Sequence, residues 1–138
     1  AESKLAPELA NEAHYYRAKA LLAEGQNKEA AGDLAVLAKD TRNVYGAEAK
    51  YLLAQLYFDN GETGKAEKEV LDYIEVSTPH AYWLARSFVL LSDVYMKLGR
   101  NLDAKQYLLS LQQNYQADDD IAEMIETRLA KLNKGSKQ

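Results

Sequence analysis

A glycine placed to close a helix, followed five residues later by an alanine, occurs three times in this chain and constrains its fold more than any other feature. The pairs are Gly25 with Ala30, Gly61 with Ala66, and Gly99 with Ala104. The glycines lie 36 and then 38 residues apart, the length of a unit made of two helices and their connections. Glycine suits the left-handed position that ends a helix, and a methyl-sized side chain on the next helix lets the two pack closely. A chain built from such units is all-α and grows by stacking, because each unit leaves an apolar face that a neighbour covers. Arrays of this kind work by offering a surface, so binding is expected ahead of chemistry.

The residues around the glycines repeat as well. The second copy reads Lys50, Leu53, Ala54, Tyr57, Gly61, Ala66 and Val70, and the third reads Phe88, Leu91, Ser92, Tyr95, Gly99, Ala104 and Leu108. The first copy keeps Gly25, Ala30 and Leu34, with His14, Arg17, Ala18 and Leu21 ahead of them. This order of a large residue, a leucine with a small residue, a tyrosine, and then alanine with a large residue on the second helix resembles the tetratricopeptide repeat. The resemblance runs over about residues 8–116. It implies a right-handed α-solenoid in a single domain, 1–138, with three helix pairs over about 8–42, 43–78 and 79–116. A capping helix over about 118–133 and a tail, 134–138, complete it. Two departures stand out: Arg42, Thr78 and Gln116 occupy the closing positions where proline is usual, and the periods exceed the common length of roughly 34 residues. The longer units and the run from Ala47 to Gly61 are similar in texture to tetratricopeptide proteins of bacterial cell envelopes, among them barrel-assembly lipoproteins and Tol-Pal coordinators. That similarity implies a periplasmic or outer-membrane-associated protein, with the cytoplasm as the alternative.

Composition narrows the partners. Hydrophobic residues make up 47% and charged residues 28% of the 138 residues, enough apolar side chain to bury a core. A net charge of −4 gives no electrostatic reason to bind nucleic acid or an anionic membrane. The chain has no cysteine, which removes disulfides, thiolate metal sites and cysteine nucleophiles without fixing the compartment. No apolar stretch reaches the roughly 18 residues that span a bilayer, so direct membrane insertion is not expected. Ala1 to Leu9 does not read as a signal peptide, and a cleaved leader or an excised domain would look the same.

Start and stop signals divide the chain into seven helices. They are expected over about Pro7 to Glu24, Lys28 to Lys39, Val44 to Asp59, Thr63 to Val76, Pro79 to Leu98, Asn101 to Tyr115, and from after Asp120 to about Asn133. The fifth start is read from Ser77 and Thr78 as hydroxyl caps ahead of Pro79 at the first helical position. The last helix reads as a lid: Ile121, Ile125, Leu129 and Leu132 form one apolar stripe, and a solenoid end needs a polar outer face. The aspartates Asp118, Asp119 and Asp120 suit the positive end of its dipole and lack the glycine and distal glutamate of a calcium loop. His14 and His80 stand outside any paired metal motif, and the glycines occur singly, so no catalytic, cofactor or metal site is expected.

What remains is the face that the first helix of each pair turns inward in this family. The matching positions are Tyr15, Tyr16 and Lys19 in the first copy, Tyr51, Leu52, Gln55 and Phe58 in the second, and Arg86, Leu90, Asp93 and Met96 in the third. Members that bind chaperone tails hold a terminal carboxylate with a clamp of lysines, asparagines and an arginine. Here the clamp positions read Tyr15, Lys19, Leu52, Arg86 and Leu90, so the clamp is mostly lost. The aromatic and aliphatic residues that replace it suit an apolar peptide or helix. The expected function is therefore a non-catalytic scaffold for a peptide or protein segment. The alternative is a structural end module of a longer repeat protein, or a homo-oligomer whose groove its own copies fill. Tyr45 and Trp83, each two residues ahead of its copy, are expected to act as wedges between neighbouring repeats, with an aromatic hot spot for a partner as the alternative.

Overall fold

The three glycines close three helices in the same way. Their φ angles are 76° at Gly25, 80° at Gly61 and 77° at Gly99, a conformation that a Cβ makes costly. In each turn the glycine N–H donates to the carbonyl three residues back, Leu22, Phe58 or Met96, at 3.1 Å, and the next N–H reaches five residues back, to Leu21, Tyr57 or Tyr95, at 2.8 Å. This paired closure satisfies the last carbonyls of the helix and reverses the chain within three residues. The following helix opens identically each time, with Ala30, Ala66 and Ala104 donating to the carbonyls of Gln26, Glu62 and Arg100.

A computed structural model describes residues 7–136, which contain seven α-helices and, among these described residues, no strand. They are α1 (Pro7–Ala23), α2 (Asn27–Leu37), α3 (Val44–Asp59), α4 (Thr63–Val76), α5 (Ala81–Lys97), α6 (Asn101–Asn114) and α7 (Ile121–Ser136). No helix among the described residues is long and apolar enough to cross a membrane. The chain divides into two compact units between Leu84 and Ala85, in the first turn of α5.

In the first unit α1 pairs with α2 and α3 with α4, while α2 also packs on α3. Its core is Ala18, Leu34, Leu37, Ala49 and Leu53. The small residues sit where the sequence places them: Ala18, Ala30 and Ala66 have no exposed surface. Leucine at Ala66 should therefore overpack the α3–α4 contact and lower stability by about 1 to 3 kcal/mol. An unchanged denaturant midpoint would show that the helices have room to spare there. Tyr73, fully buried on α4, donates its hydroxyl to the Ala47 carbonyl at 2.9 Å, and burial pushes its pKa up to about 12.

Two connections of this unit are tied to each other. The Thr41 hydroxyl donates to the Ser77 carbonyl at 2.6 Å and the Thr78 hydroxyl donates back to the Thr41 carbonyl, while the His80 Nε2–H donates to the Arg42 carbonyl at 2.8 Å. These bonds correct the expected start of the fifth helix. Ser77 adopts φ 66°, the Thr78 hydroxyl also accepts from the His80 N–H, and the helix begins at Ala81, two residues beyond Pro79. The cap residues are engaged with a neighbouring loop, which delays the first helical turn.

In the second unit the ring of Tyr107 on α6 lies between Phe88 and Tyr95 of α5, at centroid distances of 6.1 and 5.6 Å. α7 packs on α6 and buries Ile121, Ile125 and Leu132, with Leu129 half-buried beside them. Asp119 caps it by accepting from the Ile121 N–H at 2.9 Å.

Candidate binding surface

The residues expected to bind a partner fall into both units. In the first unit, α1 and α3 set Tyr15, Tyr16, Lys19, Leu52, Gln55 and Phe58 at or near the surface, and a fixed network links most of the polar atoms. Glu48 accepts from the Tyr15 hydroxyl at 2.9 Å and from the Lys19 ammonium at 3.0 Å. Further along, the Tyr51 hydroxyl donates to the Gln55 amide oxygen at 3.0 Å, and the Gln55 amide nitrogen donates to Asp59 at 2.8 Å. Burial, together with the Glu48 carboxylate, pushes the Tyr15 pKa up to about 12, so the phenol remains a donor at any ordinary pH.

Aromatic rings join the repeats. Tyr45 lies 4.7 Å from Tyr15, and Trp83 lies 5.8 Å from Tyr51. Each large residue expected as a wedge thus meets the tyrosine at the matching position of the preceding copy. The contact is the same in both places, and it accounts for one correction: Tyr51 is only 7% exposed, so it is packing more than open surface. Tyr16, in contrast, stands 59% exposed with its ring edge-on to Tyr15 at 5.2 Å.

In the second unit Arg86 and Met96 are half-buried. Leu90 is 2% exposed and offers a partner almost no surface. Asp93 is one of the expected groove positions, yet both its carboxylate oxygens accept from Arg128 of α7, at 2.8 and 2.9 Å. It therefore anchors the lid. Among the aromatic and aliphatic residues of this set only Tyr16 is exposed, while Tyr15, Leu52, Phe58 and Met96 are half-buried.

One set of polar clusters was missed by reading the first helices alone. His14 Nδ1 lies 2.9 Å from Asp33, whose other oxygen accepts from Arg17 Nε at 2.7 Å. Lys50, buried on α3, donates to Glu69 and Asp72 of α4, both at 2.7 Å. Burial works against the Lys50 charge, and the hydrogen bonds to Asp72 and Glu69 outweigh it, raising its pKa above the ordinary lysine value. The partners were visible as a spacing: His14–Asp33, Lys50–Glu69 and Phe88–Tyr107 are each 19 residues apart. One position of the hairpin is filled successively by a histidine–aspartate hydrogen bond, a lysine–glutamate ion pair and an aromatic pair.

Asp33 gives this surface a testable pH dependence. The hydrogen bond from Arg17, with a further one from His14, holds its carboxyl below the ordinary aspartate value of 3.8. A depressed acid contributes stability in full above its unfolded value and loses it as the pH falls through the folded one. Asp33→Asn should cost about 1 to 2 kcal/mol at neutral pH, a modest figure because Arg17 is largely exposed. The variant should also lose less stability than the wild type as the pH falls below the ordinary aspartate value of 3.8. Parallel acid-unfolding curves for the two proteins would contradict this.

In comparison with known proteins, no family model matches the chain and no curated protein matches it.

Proposed function

We propose that the chain is a non-catalytic interaction scaffold, a tetratricopeptide-type α-solenoid of three helix pairs and a capping helix, which holds a peptide or protein segment on the α1 and α3 side. The observation that carries this reading is the arrangement of that side in the first unit. Exposed Tyr16 stands on a base of Tyr15 and Tyr45 that is fixed by the Glu48 and Lys19 contacts. A large ring already held in place loses little freedom on binding, which is what an anchoring residue requires. The identical glycine turns and the repeated ring contact support a repeat array. A bacterial envelope setting belongs to the same proposal and rests on the sequence resemblance alone.

A second reading draws on Leu9 and Tyr16, which are 55% and 59% exposed on one helix. On this reading the α1 surface packs against another repeat or a second copy of the chain.

Partner capture from the native source followed by calorimetry tests the first reading. Tyr16→Ala should weaken the captured partner by about 1 to 3 kcal/mol and leave helicity intact. Unchanged affinity would remove the α1 side from the interface. Light scattering over a range of concentrations tests the second reading, which requires association that Tyr16→Ala abolishes.

A further inference from the structure

The outer side of α1 is laid out like a covered side of α3. Leu9, Ala13, Tyr16 and Ala20 stand four, three and four residues apart, all of them exposed, and form one stripe along the helix. The residues 36 positions later are Tyr45, Ala49, Leu52 and Leu56, and these belong to the core around Ala18 and Leu34 or pack against it. The polar neighbour repeats as well. Glu48 accepts from Tyr15 and Lys19 of α1, whereas Glu12, its counterpart, accepts no hydrogen bond among the described residues. The α1 stripe thus has the layout of a contact face, and it is open.

The stripe also fits itself. Leu9 and Ala20 lie equally far from the point midway between His14 and Tyr15, and so do Ala13 and Tyr16. Two α1 helices laid antiparallel about that point set Leu9 against Ala20 and Tyr16 against Ala13, a large residue opposite a small one at every contact. At about 100° per residue, Glu12 and Lys19 fall on the same side of the stripe, and in a two-fold antiparallel pair like sides meet. Glu12 of each copy therefore comes opposite Lys19 of the other, which uses one of its three N–H bonds on Glu48. α7 gives the stripe no comparable counterpart, because Glu123, Glu126, Thr127 and Lys131 make up much of its exposed side.

We propose that the α1 stripe docks the α1 stripe of a second copy of this chain, antiparallel about a two-fold axis, with Leu9 and Tyr16 filling the gaps over Ala20 and Ala13 and a Glu12–Lys19 ion pair at each end. The proposal rests on the second reading above and names its partner and its pairing. Such a contact is isologous, so it closes at two copies and builds no filament.

Sedimentation equilibrium of the chain at low salt, from micromolar to millimolar concentration, should show a monomer–dimer equilibrium and no larger species. Ala13→Glu puts a charge in the middle of the stripe and should leave a monomer; the new side chain faces solvent within one copy and stands four residues before Arg17, so the fold is kept. Glu12→Lys should weaken the dimer about tenfold, because two surface ion pairs become two repulsions, and Lys19→Glu should do the same. An equimolar mixture of these two variants should recover the wild-type association as a heterodimer, since each supplies the charge the other lacks. A melting curve checks Lys19→Glu, which also gives up the Glu48 contact; if it does not fold, Ala13→Glu and Glu12→Lys decide. A monomer at every concentration overturns the inference together with the second reading. Association that Tyr16→Ala abolishes but Glu12→Lys leaves unchanged, or that the mixture of folded variants does not recover, keeps the second reading and overturns this pairing. Association that survives Ala13→Glu, or that runs past the dimer, overturns it as well.

Discussion

Gly46→Ala should lower the unfolding free energy by about 3 kcal/mol or more, although alanine is the better helix former. Gly46 is buried in the first turn of α3, where that helix meets the end of α2. A Cβ there would fall on the Asp40 carbonyl oxygen and lie 2.5 Å from the carbonyl oxygen of Leu37. Both obstacles are backbone atoms, so no side chain can rotate away and the connection itself must move. Propensity alone predicts a gain of about 1 kcal/mol, opposite in sign, which makes the test sharp. Gly32 is the control: it lies inside α2, and a methyl group added there would meet nothing within 4 Å. Gly32→Ala should therefore stabilise by about 0.5 to 1 kcal/mol. Urea unfolding of both variants decides the matter, and a Gly46→Ala protein as stable as the wild type would mean that α2 and α3 approach less closely than described.

Removal of the chain from Asp118 onward should have a still larger effect on the second unit. It deletes Ile121 and Ile125, each 1% exposed, and Leu132, 8% exposed. Burial of three such aliphatic side chains contributes about 5 kcal/mol, before any loss of packing in the helices left behind. It also strips Arg128 from Asp93, leaving a half-buried carboxylate without its paired donor. The truncated chain should melt earlier and self-associate as concentration rises, because an apolar face of α6 is uncovered. Arg128→Ala separates the two contributions and should cost only about 1 kcal/mol, since both partners keep some solvent. A truncated chain that stays monomeric and melts with the untruncated one would show that α7 covers nothing of consequence.

The legible parts of the fold were those encoded locally. A glycine at a helix end, an alanine five residues later and a stripe such as Ile121, Ile125 and Leu132 each depend on neighbours within a turn or two, and all appear where the spacing puts them. The Pro79 start was misplaced because Thr41, remote in sequence, competes for the capping residues. On the candidate surface, the family resemblance supplied the expected positions on α1, α3 and α5. It could not tell that Trp83 covers Tyr51, or that Asp93 belongs to Arg128. Those facts depend on which side chain of another helix arrives opposite. The same limit hid Lys50, which sits at a position of the pattern usually given to a large apolar residue and is legible as an ion only once α4 is laid beside it.

The contact filled by His14–Asp33, Lys50–Glu69 and Phe88–Tyr107 bears on how such a chain can be rearranged. Each pair closes within its own hairpin, so a hairpin moved, duplicated or deleted as a whole keeps that pair together, and the charged contacts it cuts are those such as Lys19–Glu48 and Asp93–Arg128. Exchange of single helices lacks that protection: α5 set against α4 would put Phe88 opposite Glu69, and α3 set against α6 would put Lys50 opposite Tyr107. The hairpin, and not the helix, is therefore the smallest interchangeable part of this protein. Chimaeras cut at the loops between hairpins should fold where those cut at Gly25, Gly61 or Gly99 do not.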